Sequence, residues 1–309
     1  MKIVFFGSPA SALPSFKKLL EAGHRVELVV PQPDKPRGRG KKVTPPPVKK
    51  LALELNIPCL QPHKIRKDPV AVQKIKYIQP DLIVVVAYGQ IIPASIIYLP
   101  QYNSINLHFS LLPKYRGASP VQWTLLKGEE KTGITIFQLN EKMDEGDILS
   151  QEKFDILSRE KAFELEARLA QKGAELLVKT ISRINKINPV KQDHSQATYA
   201  PKLRKEDGRI DWTNDALFID RQVRAFNPWP SAFTFLKEKR VKIYEGKEKG
   251  KLAQISSPGK ILAVSEEGIE VCCGRSSYLI QKLQPENKKE MNAYAFSLGA
   301  KIEVGDTFT

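Results

Sequence analysis

Residues 82–87 read LIVVVA, the most apolar stretch of a 309-residue chain, and Tyr88 and Gly89 follow at once. An apolar run with no polar alternation describes a strand buried on both faces, as in a parallel sheet covered by helices. Two similar runs precede it: Lys2–Phe6 (KIVFF), closed by the turn Gly7-Ser8-Pro9, and Val26–Val30 (VELVV). Leu13–Leu20 lies between those two and carries apolar residues at helical spacing, and Leu51–Leu55 also reads as helical. Downstream, Ile134–Leu139 reads as another strand, and Ala162–Ile184 as a long amphipathic helix stopped by Asn188-Pro189. Strands alternating with helices predict an α/β domain with a Rossmann-like, mostly parallel sheet over residues 1–187. No GxGxxG follows the first strand, so the sequence gives a dinucleotide role no support.

The character of the chain then changes. Residues 188–205 are polar and without clear period, and read as a linker. In residues 206–309, short alternating segments recur between Gly and Pro turns: Phe233–Leu236, Val241–Tyr244, Gly259–Val264, Ile269–Cys272 and Tyr278–Leu283. This pattern predicts a small β-barrel resembling an OB-fold.

Composition narrows the function classes. With 41% hydrophobic and 27% charged residues, the chain is neither a disordered segment nor a collagen-like repeat. Cys59, Cys272 and Cys273 form no disulfide framework and point to a reducing compartment, with Cys272 and Cys273 read as buried strand. Cysteine and histidine spacings offer no zinc site, and no metal is expected. No run is long enough for a transmembrane helix, and the N-terminus lacks a signal-peptide core. The net charge of +15 calls for a polyanionic partner. Residues 201–309 supply only +4 of it, whereas Pro31–Lys50 (PQPDKPRGRGKKVTPPPVKK) alone supplies +6. Six prolines and two glycines in that stretch predict a long exposed loop, suited to nucleic acid rather than to a membrane surface.

The chemistry concentrates in Ser104–Pro120, SINLHFSLLPKYRGASP. Asn106 and His108 are two apart and share one face of a strand. Met143–Asp147 (MDEGD) makes an acidic, Gly-containing loop after the strand Ile134–Leu139. In open α/β sheets ligands bind beyond the carboxyl ends of strands. A His to move protons, a carboxylate to orient it and an amide to hold an oxyanion would together support acyl transfer.

These segments, taken with FGSP, QPDKPRGRGKK, VVAYG, the IDW at 210–212 and RAFNPWP at 224–230, resemble the methionyl-tRNA formyltransferase family over essentially the whole chain. The SLLP–YRGASP block belongs to the wider class of enzymes that use 10-formyltetrahydrofolate. The resemblance implies formyl transfer from 10-formyltetrahydrofolate to the α-amine of initiator methionyl-tRNA. It implies Asn106, His108 and Asp144 as the catalytic trio. It places Ser110, Leu111, Leu112 and Pro113, with Val85, Val86, Ala87, Tyr88 and Gly89, around the folate. It assigns Arg39 to the tRNA acceptor stem, and the neighbouring Arg37, Lys41 and Lys42 are expected to bind there too. A monomer working in the cytoplasm is expected, with no membrane association.

Other residues read more plainly. His24, His63 and His194 are expected at the surface, Glu145 and Asp147 in a turn or at the surface, and Phe226 and Trp229 in core packing. Two rivals share parts of the pattern. A formyl-folate enzyme acting on a sugar nucleotide, or hydrolysing the folate, would use the same trio but lack the RGRGKK loop. A non-catalytic RNA-binding protein would need the barrel and the loop, but not the trio.

Overall fold

In the computed structural model of the chain, residues 1–37, 40, 42–252 and 256–309 are described, Arg37 and Lys42 by their backbones alone. They gather into two compact units. The first comprises Met1–Pro120, Lys131–Asp155 and Glu166–Pro201, and the second Val121–Glu130, Ile156–Leu165 and Lys202–Thr309.

Up to residue 201 the strands are β1 (Lys2–Gly7), β2 (Arg25–Val30), β3 (Lys35–Arg37), β4 (Lys42–Thr44), β5 (Leu82–Val86), β6 (Ser104–His108), β7 (Arg116–Gly117), β8 (Lys131–Gln138), β9 (Ile148–Asp155) and β10 (Tyr199–Ala200). The helices are α1 (Leu13–Glu21), α2 (Pro47–Glu54), α3 (Pro69–Ile78), α4 (Ala94–Ile97), α5 (Pro120–Lys127) and α6 (Ala162–Ile181). The main sheet runs β2-β1-β5-β6-β8-β9. Its first four strands are parallel, and β8 and β9 extend it antiparallel.

Alternation along the strands sorts the core by face. Val4 and Phe6, Leu28 and Val30, Ile83 and Val85 all join one cluster, filled from α3 and α4 by Ala71, Ile75, Ile96 and Ile97. Phe5 points the other way and stacks on Phe16 of α1 with ring centroids 5.2 Å apart. All of β5 is buried, and each such aliphatic side chain contributes roughly 1.5–3 kcal/mol. Asp68 caps α3 by accepting the Ala71 N–H at 2.9 Å.

Two stretches are more ordered than their composition predicts. Within Pro31–Lys50, β3 and β4 pair as a short hairpin, and α2 starts at Pro47. Pro36 is tolerated because a two-stranded hairpin has free edges, and Pro47 because the first helical turn leaves its N–H groups unused. In the polar stretch after α6, Val190 exchanges backbone hydrogen bonds with Ile148 at 2.8 and 2.9 Å, and β10 pairs with β7.

In the second unit, β11 (Ala232–Leu236), β12 (Lys239–Lys251), β13 (Ile261–Ser265), β14 (Gly268–Cys273) and β15 (Ser276–Pro285) form an antiparallel sheet in the order β11-β12-β15-β14-β13, with β16 (Met291–Asn292) pairing β15. The helices α7 (Ala216–Ala225) and α8 (Ala293–Ala300) were not expected from the strand-like pattern. The unit's core includes Trp212, Ile219, Val223, Val241, Ile243 and Tyr278. Asp220 is buried on α7 and accepts from Arg159 Nη1 at 2.7 Å and Arg224 Nε at 2.8 Å. Cys272 and Cys273 are buried on β14. Phe226 is buried as expected, but Trp229 is 50% exposed: the RAFNPWP segment places only the first of its two rings in the core. Among the described residues no helix is long and apolar enough to cross a membrane.

Candidate active site

Strand β6 ends on the pair that the sequence singles out. Its neighbours hold it on both sides: Asn106 pairs with Val85 of β5 and with Phe137 of β8. Asn106 is half-buried and His108 is 6% exposed. The His108 Nε2 lies 2.9 Å from the Tyr115 carbonyl oxygen. A carbonyl only accepts, so Nε2 carries the hydrogen and, in the neutral ring, Nδ1 keeps the lone pair. Nδ1 faces Asp144 Oδ2 at 3.9 Å, beyond direct hydrogen-bond reach. The amide oxygen of Asn106 is buried without a hydrogen-bond partner. A buried acceptor left open beside an imidazole fits a pocket for a polar substrate group.

Asp144 sits between β8 and β9 with φ of +54°, a backbone state that few side chains adopt. Its Oδ2 accepts the Gly117 N–H at 2.7 Å. Gly117 lies in β7 at φ +120°, and a Cβ there would come within 2.6 Å of the Ala200 carbonyl oxygen. Only glycine lets β7 run this close to β10 while presenting its N–H to the carboxylate.

The SLLP segment leaves the sheet directly after β6. Thr135 of β8 organises it: its hydroxyl donates to the Ser110 carbonyl at 2.7 Å and accepts the Leu112 N–H at 3.1 Å. Gln151 Nε2 donates to the same hydroxyl at 2.8 Å and to the Leu112 carbonyl at 2.9 Å. Ser110 Oγ donates to the Lys114 carbonyl at 2.6 Å, and the Leu112–Pro113 peptide is cis. Leu111 packs over Gly133, where an added Cβ would approach its Cδ2 to 2.3 Å. At the end of β5, Val85 and Val86 are buried, and Ala87 and Gly89 turn the chain at φ +49° and +77°. Gln32 Nε2 holds the Tyr88 carbonyl at 3.0 Å. The buried Tyr88 ring meets Phe6 edge-on, and burial pushes its phenol well above the usual range. β5 and β6 pair side by side, with Val85 opposite Asn106, so residues 87–89 and 110–113 both leave the sheet next to Asn106 and His108.

A second layer of side chains stands behind these residues. Arg116 is 1% exposed. Its Nε and Nη2 donate to Gln192 Oε1 at 3.2 and 2.7 Å, and its Nη1 pairs with Glu145 at 3.3 Å. Gln192 Nε2 in turn donates to the carbonyls of Asp144 and Gly146, each at 2.8 Å. Glu145, expected in a turn or at the surface, is therefore tied to a buried guanidinium. His194 is exposed as expected, yet its Nδ1 lies 3.0 Å from Arg116 Nη2. An arginine beside SLLP was one available signal, since a buried guanidinium needs acceptors; nothing local marked Gln192 as their source.

The basic stretch is anchored at its base. Lys49 Nζ reaches both carboxylate oxygens of Asp34 at 3.0 and 2.8 Å, and Gln61 Nε2 donates to Asp34 at 2.7 Å and to the Gln32 carbonyl at 2.8 Å. Those hydrogen bonds, Gln61 first, hold the Asp34 carboxyl below its ordinary range. Arg37 and Lys42 face each other across the hairpin, while Arg39 and Lys41 lie outside the described residues. Among the described residues no group of three His, Cys, Asp or Glu is placed to hold a metal ion.

Comparison with known proteins agrees with this layout. A family described as "Formyl transferase" matches residues 1–181, and "Formyl transferase, C-terminal domain" matches 202–301. The methionyl-tRNA formyltransferase of Geobacter sulfurreducens is 46% identical over 307 residues, covering 99% of this chain and 96% of its own. That of Clostridium perfringens is 44% identical over 309 residues and is covered to 99%. Among solved structures, the sugar 3N-formyltransferase WlaRD, crystallised with dTDP and 5-N-formyl-THF, shares the fold at TM-score 0.65 and 21% identity, over 94% of this chain and 99% of that one. HypX from Aquifex aeolicus in complex with tetrahydrofolic acid does so at TM-score 0.63 and 18% identity; all of this chain spans half of that longer one.

Proposed function

The chain belongs to the methionyl-tRNA formyltransferase family, and we propose that Asn106, His108 and Asp144 carry its reaction, the transfer of a formyl group from 10-formyltetrahydrofolate to the α-amino group of initiator methionyl-tRNA. The observation that carries the residue assignment is the end of β6, where an amide with an open acceptor shares a strand face with an imidazole whose open Nδ1 lies 3.9 Å from a carboxylate.

The folate supplies a formyl carbon already activated for attack, so the protein's tasks are orientation, charge and proton handling. Asn106 accepts an N–H of the incoming amine at Oδ1, and its own amide N–H donates to the formyl oxygen as negative charge gathers there. His108 takes the amine proton at Nδ1 as the new C–N bond forms. It returns that proton to the departing folate nitrogen as the old bond breaks. With Nε2–H already on the Tyr115 carbonyl, the imidazolium has both N–H groups directed, one at the backbone and one at Asp144. Asp144 thus faces the nitrogen that becomes charged.

Residues 110–113 and 85–89 line the folate side, and the second unit holds tRNA. The divided labour is catalysis in 1–187, completed by residues 188–201, and tRNA binding in 206–309. A six-stranded antiparallel sheet whose long, bulged β12 pairs both β11 and β15 supports an OB-like barrel there. The +6 stretch, with Arg37, Arg39, Lys41 and Lys42, grips the acceptor stem through phosphates. The enzyme works as a monomer in the cytoplasm, where translation begins, without membrane association.

Formylation of charged initiator tRNA by Asn106→Ala and His108→Ala variants tests the trio. Each is expected to lose at least about 10²-fold in kcat. A folded His108→Ala protein that turned over like wild type would sink the assignment, and formylation of a sugar nucleotide in preference to the tRNA would sink the acceptor.

A further inference from the structure

Asp144 is held in an uncommon backbone state, φ +54°, by contacts that come from a distant part of the chain. From the geometry we infer that Gln192 and Arg116 are positioning residues that set the Asp144 carboxylate opposite His108, so that the polar stretch after α6 completes the active site. The inference rests on the roles proposed above for Asp144 and His108.

The chemistry of the contacts fixes the Gln192 amide in one orientation. A guanidinium only donates, and Arg116 presents two N–H groups to Gln192 Oε1. The carbonyls of Asp144 and Gly146 only accept, and both take the Gln192 NH2. Reversing the amide would set donor against donor and acceptor against acceptors. Gln192 is 5% exposed, so water is poorly placed to replace any of these bonds.

The contacts close a ring around Asp144. Its carbonyl is held by Gln192, which is held by the Arg116 side chain. Its carboxylate is held by the Gly117 N–H, on the peptide that Arg116 itself begins. Backbone and side chain of Asp144 are therefore referenced to one dipeptide. That dipeptide is in turn fixed by β10 and by the Thr198 carbonyl, which accepts the Arg116 N–H at 2.9 Å. The same arrangement serves the imidazole, because Tyr115, whose carbonyl holds His108 Nε2, gives its N–H to Thr198 Oγ1 at 2.8 Å. Gln192 touches none of the proposed reacting groups; it acts through the Asp144 backbone.

The test is a kinetic cycle on the full chain. Gln192→Glu keeps the volume and the acceptor for Arg116, but turns an oxygen toward the two carbonyls; Gln192→Ala removes both halves. Each is made in wild type and in Asp144→Ala, with kcat and KM measured for charged tRNA and for the formyl donor. In the wild-type background kcat is expected to fall about 10–100-fold, the scale of misplacing a catalytic group by about 1 Å, with both KM values within about twofold. In the Asp144→Ala background the same substitutions should change kcat by less than about twofold, because their target is gone. An equal loss in both backgrounds, or a raised KM with kcat intact, overturns the inference. Should Gln192→Ala fail to fold, the volume-matched Gln192→Glu decides. Wild-type turnover by Asp144→Ala alone would instead remove the underlying assignment of Asp144, a result distinct from any failure of Gln192.

Discussion

Replacing Thr135 by Val should destabilise the first unit, although the site is fully buried between Ile134 and Ile136 on a strand. An apolar reading gives the opposite sign, since Val is the better β-former and adds a methyl to the core. The hydroxyl decides the matter. It uses its one donor on Ser110 and accepts from Leu112 and Gln151, at 2.7, 3.1 and 2.8 Å. Val keeps the shape and deprives the Leu112 N–H and the Ser110 carbonyl of this partner. Each buried group left unsatisfied loses about 1–3 kcal/mol, and the extra methyl returns about 0.8 kcal/mol, for a net loss of about 3 kcal/mol. Thr135→Ser keeps the hydroxyl and gives up one methyl, about 1 kcal/mol. The expected order is wild type, then Ser, then Val. Trp123, Trp212 and Trp229 all lie in the second unit, so the measurement is made on the first unit's own amides. Hydrogen exchange at the β6 and β8 amides gives the opening free energy directly. With SLLP released, the KM for the formyl donor should rise several-fold in the Val variant. A Val variant within about 0.5 kcal/mol of wild type, or more stable than Ser, would refute the hydroxyl hub.

Two further outcomes follow from titratable groups. Asp34→Asn unties the base of the basic stretch, so the KM for methionyl-tRNA should rise while kcat holds. Because Gln61 and Lys49 lower the folded-state pKa of Asp34, its stabilisation is present above the ordinary carboxyl value of about 4 and is lost as pH falls through the lowered one. Melting temperatures of wild type and Asp34→Asn should therefore differ by a constant amount from pH 7 to about 5 and converge in stronger acid; a gap that persists at the acid end counts against the tether. Burial pushes the Cys273 thiol up to about 12. Its stabilising effect is complete below the ordinary thiol value of about 9 and is lost as pH rises toward 12. Iodoacetamide at pH 8, followed by mass spectrometry, should leave Cys273 unmodified until the protein unfolds, and labelling of the folded protein would contradict its burial.

What the sequence revealed depended on how local the cause was. The apolar runs of β1, β2 and β5 speak for themselves, because burial on both faces is written into consecutive residues. Asn106 and His108 were legible as a same-face pair on one strand. The supporting layer was not. Arg116 and Gln192 are 76 residues apart and Tyr115 and Thr198 are 83 apart, and no periodicity connects such pairs. A polar stretch without period looks like a linker whether its polar groups meet water or a buried guanidinium. Helices α7 and α8 are hidden for a different reason: they flank the run of strands from β11 to β16, whose alternation dominates the pattern of that region. The pairing of β3 with β4 is hidden because prolines that forbid a central strand still suit one with open edges.

The pairing of β7 with β10 bears on the order in which the enzyme is made. Strands β1 to β9 and all of α6 precede residue 182, so the sheet and its core can form on a chain still being synthesised. Asp144 and Tyr115, however, wait for Gln192 and Thr198, and β7 waits for Ala200. A nascent chain released up to the end of α6 owns all three reacting side chains and still lacks the frame that aims two of them. The framing of the active site is thereby among the last steps in building the first unit, a delay set by where the last contacts lie in the sequence.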